Sequence, residues 1–164
     1  MDDDRVMYYR MLSITVCLIG LVLSFYAYHV ETKKEKDKKY RAMCDISGHM
    51  SCSAVFNSRY GKGFGILGSL FGEKSILNQP NSIYGIIFYT LQLILGEINQ
   101  PYAARLYLGF AIISIVGSVY LAYILAFILH DFCVVCVATY VLNAALLFCS
   151  LHKFWHLEGK FKAE

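Results

Sequence analysis

Four of the six cysteines occur in two closely spaced pairs, and these thiols are the most reactive groups that the sequence offers. Cys133 and Cys136 form a Cys-x-x-Cys motif within DFCVVCVATY, and Cys44 and Cys52 enclose seven residues in CDISGHMSC. Paired thiols can bind a zinc ion, form a structural disulfide or exchange electrons as a redox couple. The surrounding sequence indicates which of these three kinds of site is present.

The Cys-x-x-Cys motif begins an uncharged run that is long enough for a membrane-spanning helix. On such a helix Cys133 and Cys136 lie one turn apart on one face, and Tyr140 and Asn143 continue that face. Free N–H groups and the positive end of the helix dipole stabilise a thiolate at this position. The pattern predicts a reactive thiol pair with a phenol and an amide beside it, although Tyr140 also suits a tyrosine of the membrane interface.

The redox couple is favoured over the other two kinds of site. A structural zinc site usually takes two short Cys-x-x-Cys units, and the spacing of Cys44 and Cys52 is wider. A structural disulfide suits that loop better than a Cys-x-x-Cys motif at a helix end, where the bond is usually redox-active. Cys17 and Cys149 are unpaired by spacing, and we interpret them as buried small apolar residues. No metal site is therefore expected.

Long uncharged runs show which elements must hold these thiols. The chain is 57% hydrophobic, above the share of an ordinary soluble domain, and three runs reach the ~20 residues that a helix needs to cross a bilayer. A fourth run is shorter, but it suffices when it is extended through Glu97 to residue 98. We predict one membrane domain over residues 1–164, an all-α four-transmembrane-helix bundle with helices at about 11–30, 82–98, 106–129 and 132–151.

The first span is expected to be retained as a membrane anchor. Its start, MDDDR, is acidic, and no small-x-small cleavage pattern follows it. Gly20 and Ser24 on this span, and Ser114 and Ser118 on the third, are spaced to let helices approach closely. We expect helix contacts at both pairs.

The loop of residues 31–80 divides into a charged part and a glycine-rich part. ETKKEKDKKYR is expected to extend the first helix into water, and since most of the net charge of +3 lies here, it does not indicate nucleic-acid binding. Phe64, Leu67 and Phe71 recur at helical spacing, which predicts a short half-helix that caps the bundle or lies in the membrane interface. GFGILG matches Gly-x-Gly-x-x-Gly, but no strand precedes it, so it does not indicate a dinucleotide site. Asn81 and Ser82, which follow, could cap the second helix or contact a ligand.

The number of spans decides whether the two cysteine pairs can meet. With four spans, the 31–80 loop and the turn before Cys133 lie on the same side of the membrane. The positive-inside rule opposes a lumenal loop, because nine Lys and Arg lie in it against six elsewhere. Paired cysteines indicate an oxidising compartment, and the end KFKAE resembles the dilysine retrieval signal of endoplasmic reticulum membrane proteins. We predict the endoplasmic reticulum membrane, with both termini and the 152–164 tail cytosolic and the loop and cysteine pairs lumenal.

Four motifs in this order and spacing, CDISGHMSC, SRYGKGFG, LNQPNSIYG and DFCVVCVATY, resemble the vitamin K epoxide reductase family over residues 17–143. LGSLFG, NQPNS and TYVLN are more similar to the VKOR-like branch of that family than to the first-described enzyme. The resemblance implies a membrane thiol-disulfide oxidoreductase that reduces vitamin K 2,3-epoxide and vitamin K quinone to the hydroquinone. It also implies that a lumenal thioredoxin-fold protein donates the electrons, that no cofactor is tightly bound, and that anticoagulants of the warfarin type inhibit the enzyme.

The same resemblance implies a role for each motif residue. Cys133 and Cys136 are the catalytic pair, with Cys136 attacking the substrate, while Cys44 and Cys52 form a shuttle pair. Cys52 exchanges with Cys133, and Cys44 meets the protein that donates electrons. The implied substrate-binding residues are two that hydrogen-bond the ring oxygens, Asn81 and Tyr140, and an apolar group, Phe56, Tyr84, Phe88, Leu121, Leu125 and Leu129.

Two alternatives and one departure accompany this hypothesis. The same thiols and quinone also suit a quinone-linked disulfide-forming oxidase that acts on thioredoxin-fold partners. A tetraspanning structural protein with a disulfide-bonded loop is an alternative of a different class. Tyr60 departs from the family pattern, which has a tryptophan there, and this bears on the packing of the capping loop and on inhibitor strength.

Overall fold

The computed structural model describes residues 2–45 and 51–163, and the side chains of residues 4–45 and 51–159. Within these residues the chain forms six α-helices, which are α1 (Asp2–Lys36), α2 (Cys52–Phe56), α3 (Leu67–Phe71), α4 (Asn81–Glu97), α5 (Pro101–Ile124) and α6 (Val134–Ala163). The described part contains no strand apart from a single β-bridge between Lys62 and Pro80. The prediction of an all-α chain is confirmed.

Three helical segments of the described chain are long and apolar enough to cross a membrane. They are Asp4–Lys36, Pro101–Leu129 and Val134–Gly159. The remaining long helix, α4, has 17 residues, which at about 1.5 Å per residue gives about 25 Å, less than the ~30 Å of bilayer hydrocarbon. Three of the four predicted spans are therefore confirmed, and the crossing of α4 stays a prediction.

The helices differ from the predicted spans mainly at their ends. The charged run extends α1 only as far as Lys36. At the other end of the chain, α6 continues far beyond residue 151, so the described part of the predicted tail is helical. Lys160 and Lys162, on which the retrieval signal depends, lie outside the residues whose side chains are described. After α5 the chain continues in π-helical geometry over Leu125–Leu129 and stops at His130, whose left-handed φ of 51° cannot continue a helix.

Helices α1 and α4 lie side by side in opposite directions. At one end Arg10 pairs with Glu97. At the other end the Ser82 hydroxyl donates a hydrogen bond to the carboxyl group of Glu31, which lies one residue after the predicted first span. Between these ends small residues permit close contact, because a methyl group on Gly20 would overlap the ring of Tyr89. A methyl group on Gly85 would likewise lie 2.7 Å from Ser24 Oγ. The contact predicted from the small residues of the first span is present.

Two clusters of buried side chains hold the bundle together. One cluster joins the middle of α1 to α4, α5 and α6 and contains Cys17, which is fully buried. Cys149 is also buried, so both unpaired cysteines are small interior residues as predicted. The second cluster contains Ala27, Cys52, Val55, Leu125, Cys133 and Val135. It brings both cysteine pairs to one end of the bundle, which we call the thiol end.

The loop over the thiol end, residues 57–80, forms a lid. It consists of two short 3-10 turns, Arg59–Gly61 and Gly63–Gly65, followed by the five-residue α3. The predicted half-helix is therefore shorter than its spacing suggested. Gly63, Phe64 and Gly65 have φ angles of 52°, 57° and 73°, and three consecutive left-handed residues exclude Phe64 from a right-handed helix.

Candidate active site

The two cysteines of the Cys-x-x-Cys motif occupy the first turn of α6. Cys133 lies immediately before the helix and accepts the first helical bond, from Val137 N–H to its carbonyl oxygen at 3.0 Å. Its sulfur accepts a second bond at 3.2 Å from the backbone N–H of Cys136. Cys133 thus caps the helix with its own side chain, in the position that serine usually takes. A donor aimed at the sulfur is the arrangement that stabilises a thiolate.

The sulfurs of this motif have different neighbours. Cys133 is fully buried and packs in the same cluster as Cys52 and Val55. Cys136 is half-buried and lines a large cavity in the described bundle, and Cys133 is not among the residues that line it. Neither of the two is disulfide-bonded. One thiol of the pair therefore faces the second cysteine pair and the other faces the cavity.

The second cysteine pair is joined in a disulfide between Cys44 and Cys52, with the Cα atoms 5.8 Å apart. Cys52 begins α2, and Tyr26 of α1 places its hydroxyl 3.6 Å from Cys44 Sγ. The pair thus packs against α1 on one side and against the start of α6 on the other. The four-cysteine zinc alternative does not fit this state, because two of its ligands are bonded to each other.

Asp45 holds the disulfide-bonded segment in shape. Its carboxylate accepts bonds from Ala42 N–H at 2.9 Å, from Ser53 N–H at 2.9 Å and from the hydroxyls of Ser53 and Ser51 at 2.6 and 3.1 Å. Partial burial opposes the charge of Asp45, but these four donors outweigh burial and lower the pKa of the carboxyl group. Ser51 also caps α2 by accepting from Ala54 N–H.

We expect Asp45→Asn to loosen the segment that carries the Cys44–Cys52 disulfide, because an amide cannot accept from four donors. The lowered pKa means that the unchanged segment keeps this stabilisation above the ordinary carboxyl pKa near 4 and loses it as the pH falls through the lower folded-state value. Amide exchange at Ser53, normalised to its intrinsic rate, measures both effects. Equal protection in the variant and the unchanged protein at neutral pH contradicts the expectation.

A cavity of about 890 Å³ lies between α1, α4, α5 and α6 beneath the lid. Its volume lies within the range of about 300–1,000 Å³ that ligand pockets usually have, and its walls are mostly apolar. Every residue that the sequence predicted to bind substrate lines it, namely Phe56, Asn81, Tyr84, Phe88, Leu121, Leu125, Leu129 and Tyr140. The structure thus brings these eight residues and Cys136 around one space, and their binding role stays a prediction.

Asn81 connects the cavity to the lid. Its amide Nδ2 donates to Tyr60 O at 2.6 Å, and its Oδ1 accepts from Phe64 N–H at 2.9 Å. Tyr120 of α5 donates to Phe64 O at 3.2 Å. The alternative that Asn81 and Ser82 cap α4 is wrong, because Pro80 occupies the cap position and no side chain caps the helix.

A hydrogen-bonded group of three side chains forms the deep end of the cavity. Tyr89 of α4 donates to Asn143 Oδ1 at 2.9 Å, and Asn143 Nδ2 donates to Ser118 Oγ at 2.9 Å. This group ties α4, α5 and α6 together below Tyr140. Asn143, which was predicted on the cysteine face of its helix, therefore uses its amide group for hydrogen bonds to the neighbouring helices α4 and α5.

Glu31 was not among the predicted site residues, and Ser82 was predicted as a possible helix cap. Glu31 was counted with the solvated charge run, yet it is buried and lines the cavity. Its spacing from Ser24 and Ala27, which also line the cavity, is the signal that places it on the same face of α1. Among the described residues no three His, Cys, Asp or Glu side chains come together as a metal site.

Comparisons with known proteins agree with the resemblance in the motifs. The model of the vitamin K epoxide reductase family matches residues 11–151. The chain is 49% identical over 140 residues to vitamin K epoxide reductase complex subunit 1 of Mus musculus, covering 85% of this chain and 87% of that protein. The protein of the same name from Rattus norvegicus is 48% identical over 142 residues, with 87% and 88% covered.

Proposed function

Because the chain belongs to the vitamin K epoxide reductase family, we propose that it reduces vitamin K 2,3-epoxide and vitamin K quinone with electrons from protein thiols. One observation carries the proposal. Cys136 is the only cysteine among the described residues that line the large apolar cavity, and its motif partner packs beside the second cysteine pair. Such a site offers a thiol that can react with a lipid-soluble substrate in the cavity, and a second thiol that can receive electrons from the other cysteine pair.

The chemistry that we propose converts one dithiol into one disulfide. The Cys136 thiolate attacks the substrate, and the Cys133 thiol then attacks the Cys136 sulfur and releases the reduced product. With the quinone, two S–H bonds are lost and two ring oxygens become O–H groups. With the epoxide, the same two protons and two electrons convert the substrate into the quinone and one water molecule.

The electron route that we propose starts at the lid side. Cys52 exchanges its disulfide with Cys133, and Cys44 exchanges with a thioredoxin-fold protein in the lumen. The common cluster of Cys52 and Cys133 supports the first exchange, and the partly accessible Cys44 supports the second. In this proposal, the state that is ready to reduce substrate has a dithiol in the motif, and the bonding of the four cysteines in the structure is compatible with that state.

We propose that Tyr140 and Asn81 orient the substrate ring through its oxygens, while the apolar wall residues hold the naphthoquinone. Both polar residues line the cavity with Cys136, and Asn81 keeps a second amide hydrogen beyond the bond to Tyr60 O. Warfarin-type anticoagulants compete for the same space in this proposal. Membership of the VKOR-like branch also stays a prediction.

We propose that α4 crosses the membrane and completes a four-helix bundle. Its contacts with α1 extend from Glu31 and Ser82 at the thiol end to Arg10 and Glu97 at the other, the whole length of the helix. A crossing α4 also explains why both cysteine pairs lie at one end. The proposed orientation places that end in the lumen of the endoplasmic reticulum and both termini in the cytosol.

Turnover of vitamin K 2,3-epoxide by the purified protein with dithiothreitol tests the function. We expect the quinone and then the hydroquinone as products, separated by chromatography, and inhibition by warfarin. The control incubates the protein with a reduced thioredoxin-fold partner and quinone. Oxidation of that partner without any epoxide turnover contradicts the proposal and supports a disulfide-forming oxidase. A protein without either activity and with an inert set of disulfides supports the structural alternative.

A further inference from the structure

A buried carboxyl group lies in the wall of the cavity. Glu31, near the thiol end of α1, is only 6% exposed, and so is Ser82 at the start of α4. The Ser82 hydroxyl donates to Glu31 Oε2, and both residues line the cavity together with Cys136. The two helices therefore present a hydrogen-bonded acid and hydroxyl to the space where substrate is proposed to bind.

Glu31 has no cation of its own. Lys62 of the lid pairs instead with the exposed Glu35, one turn further along α1. None of the ion pairs of the described residues includes Glu31. Burying a carboxylate without a paired cation is costly, so a fold that retains one in a cavity wall points to use of its proton.

Glu31 is also the only acidic or basic side chain among the described residues that line the cavity. The other titratable groups there are thiol and phenol groups, Cys136 and Tyr140 from α6, Tyr84 and Tyr89 from α4, Tyr120 from α5 and Tyr60 from the lid. Ordinary phenols and thiols hold their protons above neutral pH, whereas a carboxyl group can both accept and release one near it when buried. Glu31 is thus the best-suited proton carrier of the wall.

We propose that Glu31 carries a proton from the Cys136 thiol to the substrate oxygen, with the Ser82 hydroxyl positioning its carboxyl group. The inference rests on the proposed function and adds a residue to it. The reaction needs such a carrier because the proton starts on sulfur and must finish on oxygen in a cavity with little water. Glu31 from α1 and Cys136 from α6 line the same cavity, in which the proposed transfer takes place.

The proton balance of the epoxide reaction is closed by this step. The Glu31 carboxylate takes the proton of Cys136, and the thiolate attacks an epoxide carbon and breaks its C–O bond. The oxygen that is released takes that proton from Glu31 and becomes a hydroxyl group. When the Cys133 thiol attacks the Cys136 sulfur, its proton joins the departing hydroxide as water, and the quinone and a disulfide remain.

The test compares Glu31→Gln with Glu35→Gln in the full-length protein. Glutamine keeps the size of Glu31 and its bond with Ser82 but cannot carry the proton. We expect Glu31→Gln to lower kcat for the epoxide by about 10²-fold with KM little changed. Glu35→Gln, which removes an exposed partner of Lys62, should leave kcat unchanged. Glu31→Ala should regain part of the lost rate when formate is added, which a purely structural role does not predict.

A second measurement needs no substrate. Glu31→Gln should shift the midpoint of the pH dependence of Cys136 alkylation, followed by mass spectrometry, and Glu35→Gln should not. The proposal is overturned if Glu31→Gln changes neither kcat nor the midpoint of Cys136 alkylation. It is also overturned if the Glu31 variants lose kcat together with a lower Tm and formate does not restore activity to Glu31→Ala. An unmutated protein that does not turn over the epoxide refutes the proposed function instead, and the alkylation midpoint still decides on Glu31.

Discussion

Replacing either cysteine of the Cys-x-x-Cys motif by alanine is expected to abolish reduction of vitamin K epoxide, even with dithiothreitol as the electron donor. Cys136 is the one described cysteine at the cavity wall, so Cys136→Ala leaves no nucleophile there. Cys133→Ala keeps the nucleophile but removes the thiol that resolves its adduct. Loss of a covalent nucleophile lowers rates by about 10⁴-fold or more, and we expect losses of this size in both variants.

The matched control is Cys149→Ala, because Cys149 is also a free thiol of α6 but is buried and does not line the cavity. It should retain the activity of the unchanged protein. Cys44→Ala should retain activity with dithiothreitol, which can reach the motif directly, and lose it with a reduced thioredoxin-fold protein as the only donor. Full activity of Cys136→Ala with dithiothreitol excludes Cys136 as the nucleophile.

The proposed thiol–disulfide exchange between the two cysteine pairs can be detected in one of these variants. Without Cys136, the Cys133 thiol has lost its partner in the motif and lies in the same cluster as Cys52. We expect a Cys52–Cys133 disulfide to accumulate in Cys136→Ala and to be found by peptide mapping. An exclusive Cys44–Cys52 bond in that variant contradicts the proposed exchange.

The features that the sequence predicted correctly depend on local pattern. Runs without charge correspond to helices because hydrocarbon requires them, and Cys133 and Cys136 share one turn because they are three positions apart in the sequence. The same reasoning placed Tyr140 one turn further along that face. Spacing alone also suggested that Gly20 allows close approach, although it could not identify Tyr89 as the neighbour.

The features that the sequence did not predict depend on contacts between distant residues. Glu31 looks like part of a solvated charge run, and only packing against Ser82, 51 residues later, makes it a wall of the cavity. The lid shows the same limit, because helical spacing at Phe64 is overridden by its left-handed backbone. Asn81 looked like a cap because its neighbours in sequence are a proline and a serine, whereas its bonds go to residues 17 and 21 positions earlier.

Asn81→Leu is expected to lower kcat/KM for the epoxide by about 10²-fold, because it removes two lid contacts and a proposed substrate contact together. Leucine has a similar size but leaves the partly buried Tyr60 O and Phe64 N–H without their partners, and an unpaired group costs up to about 1–3 kcal/mol when it is fully buried. Faster amide exchange over the described lid residues should accompany the kinetic loss. Asn99→Leu, an exposed change just beyond the far end of α4, is the control and should alter neither.

Tyr120→Phe separates the two roles of Asn81, because it removes the bond to Phe64 O without removing a proposed substrate ligand. Alone it should lower kcat/KM severalfold, in line with one lost hydrogen bond of about 1 kcal/mol. Asn81 and Tyr120 hold the same Phe64 backbone, so the part of the loss that passes through the lid should not add in the double variant. The loss that Asn81→Leu still causes in the Tyr120→Phe background measures the part that does not pass through Phe64, which includes the proposed contact of Asn81 with substrate. Full additivity together with unchanged lid exchange contradicts the lid role of Asn81.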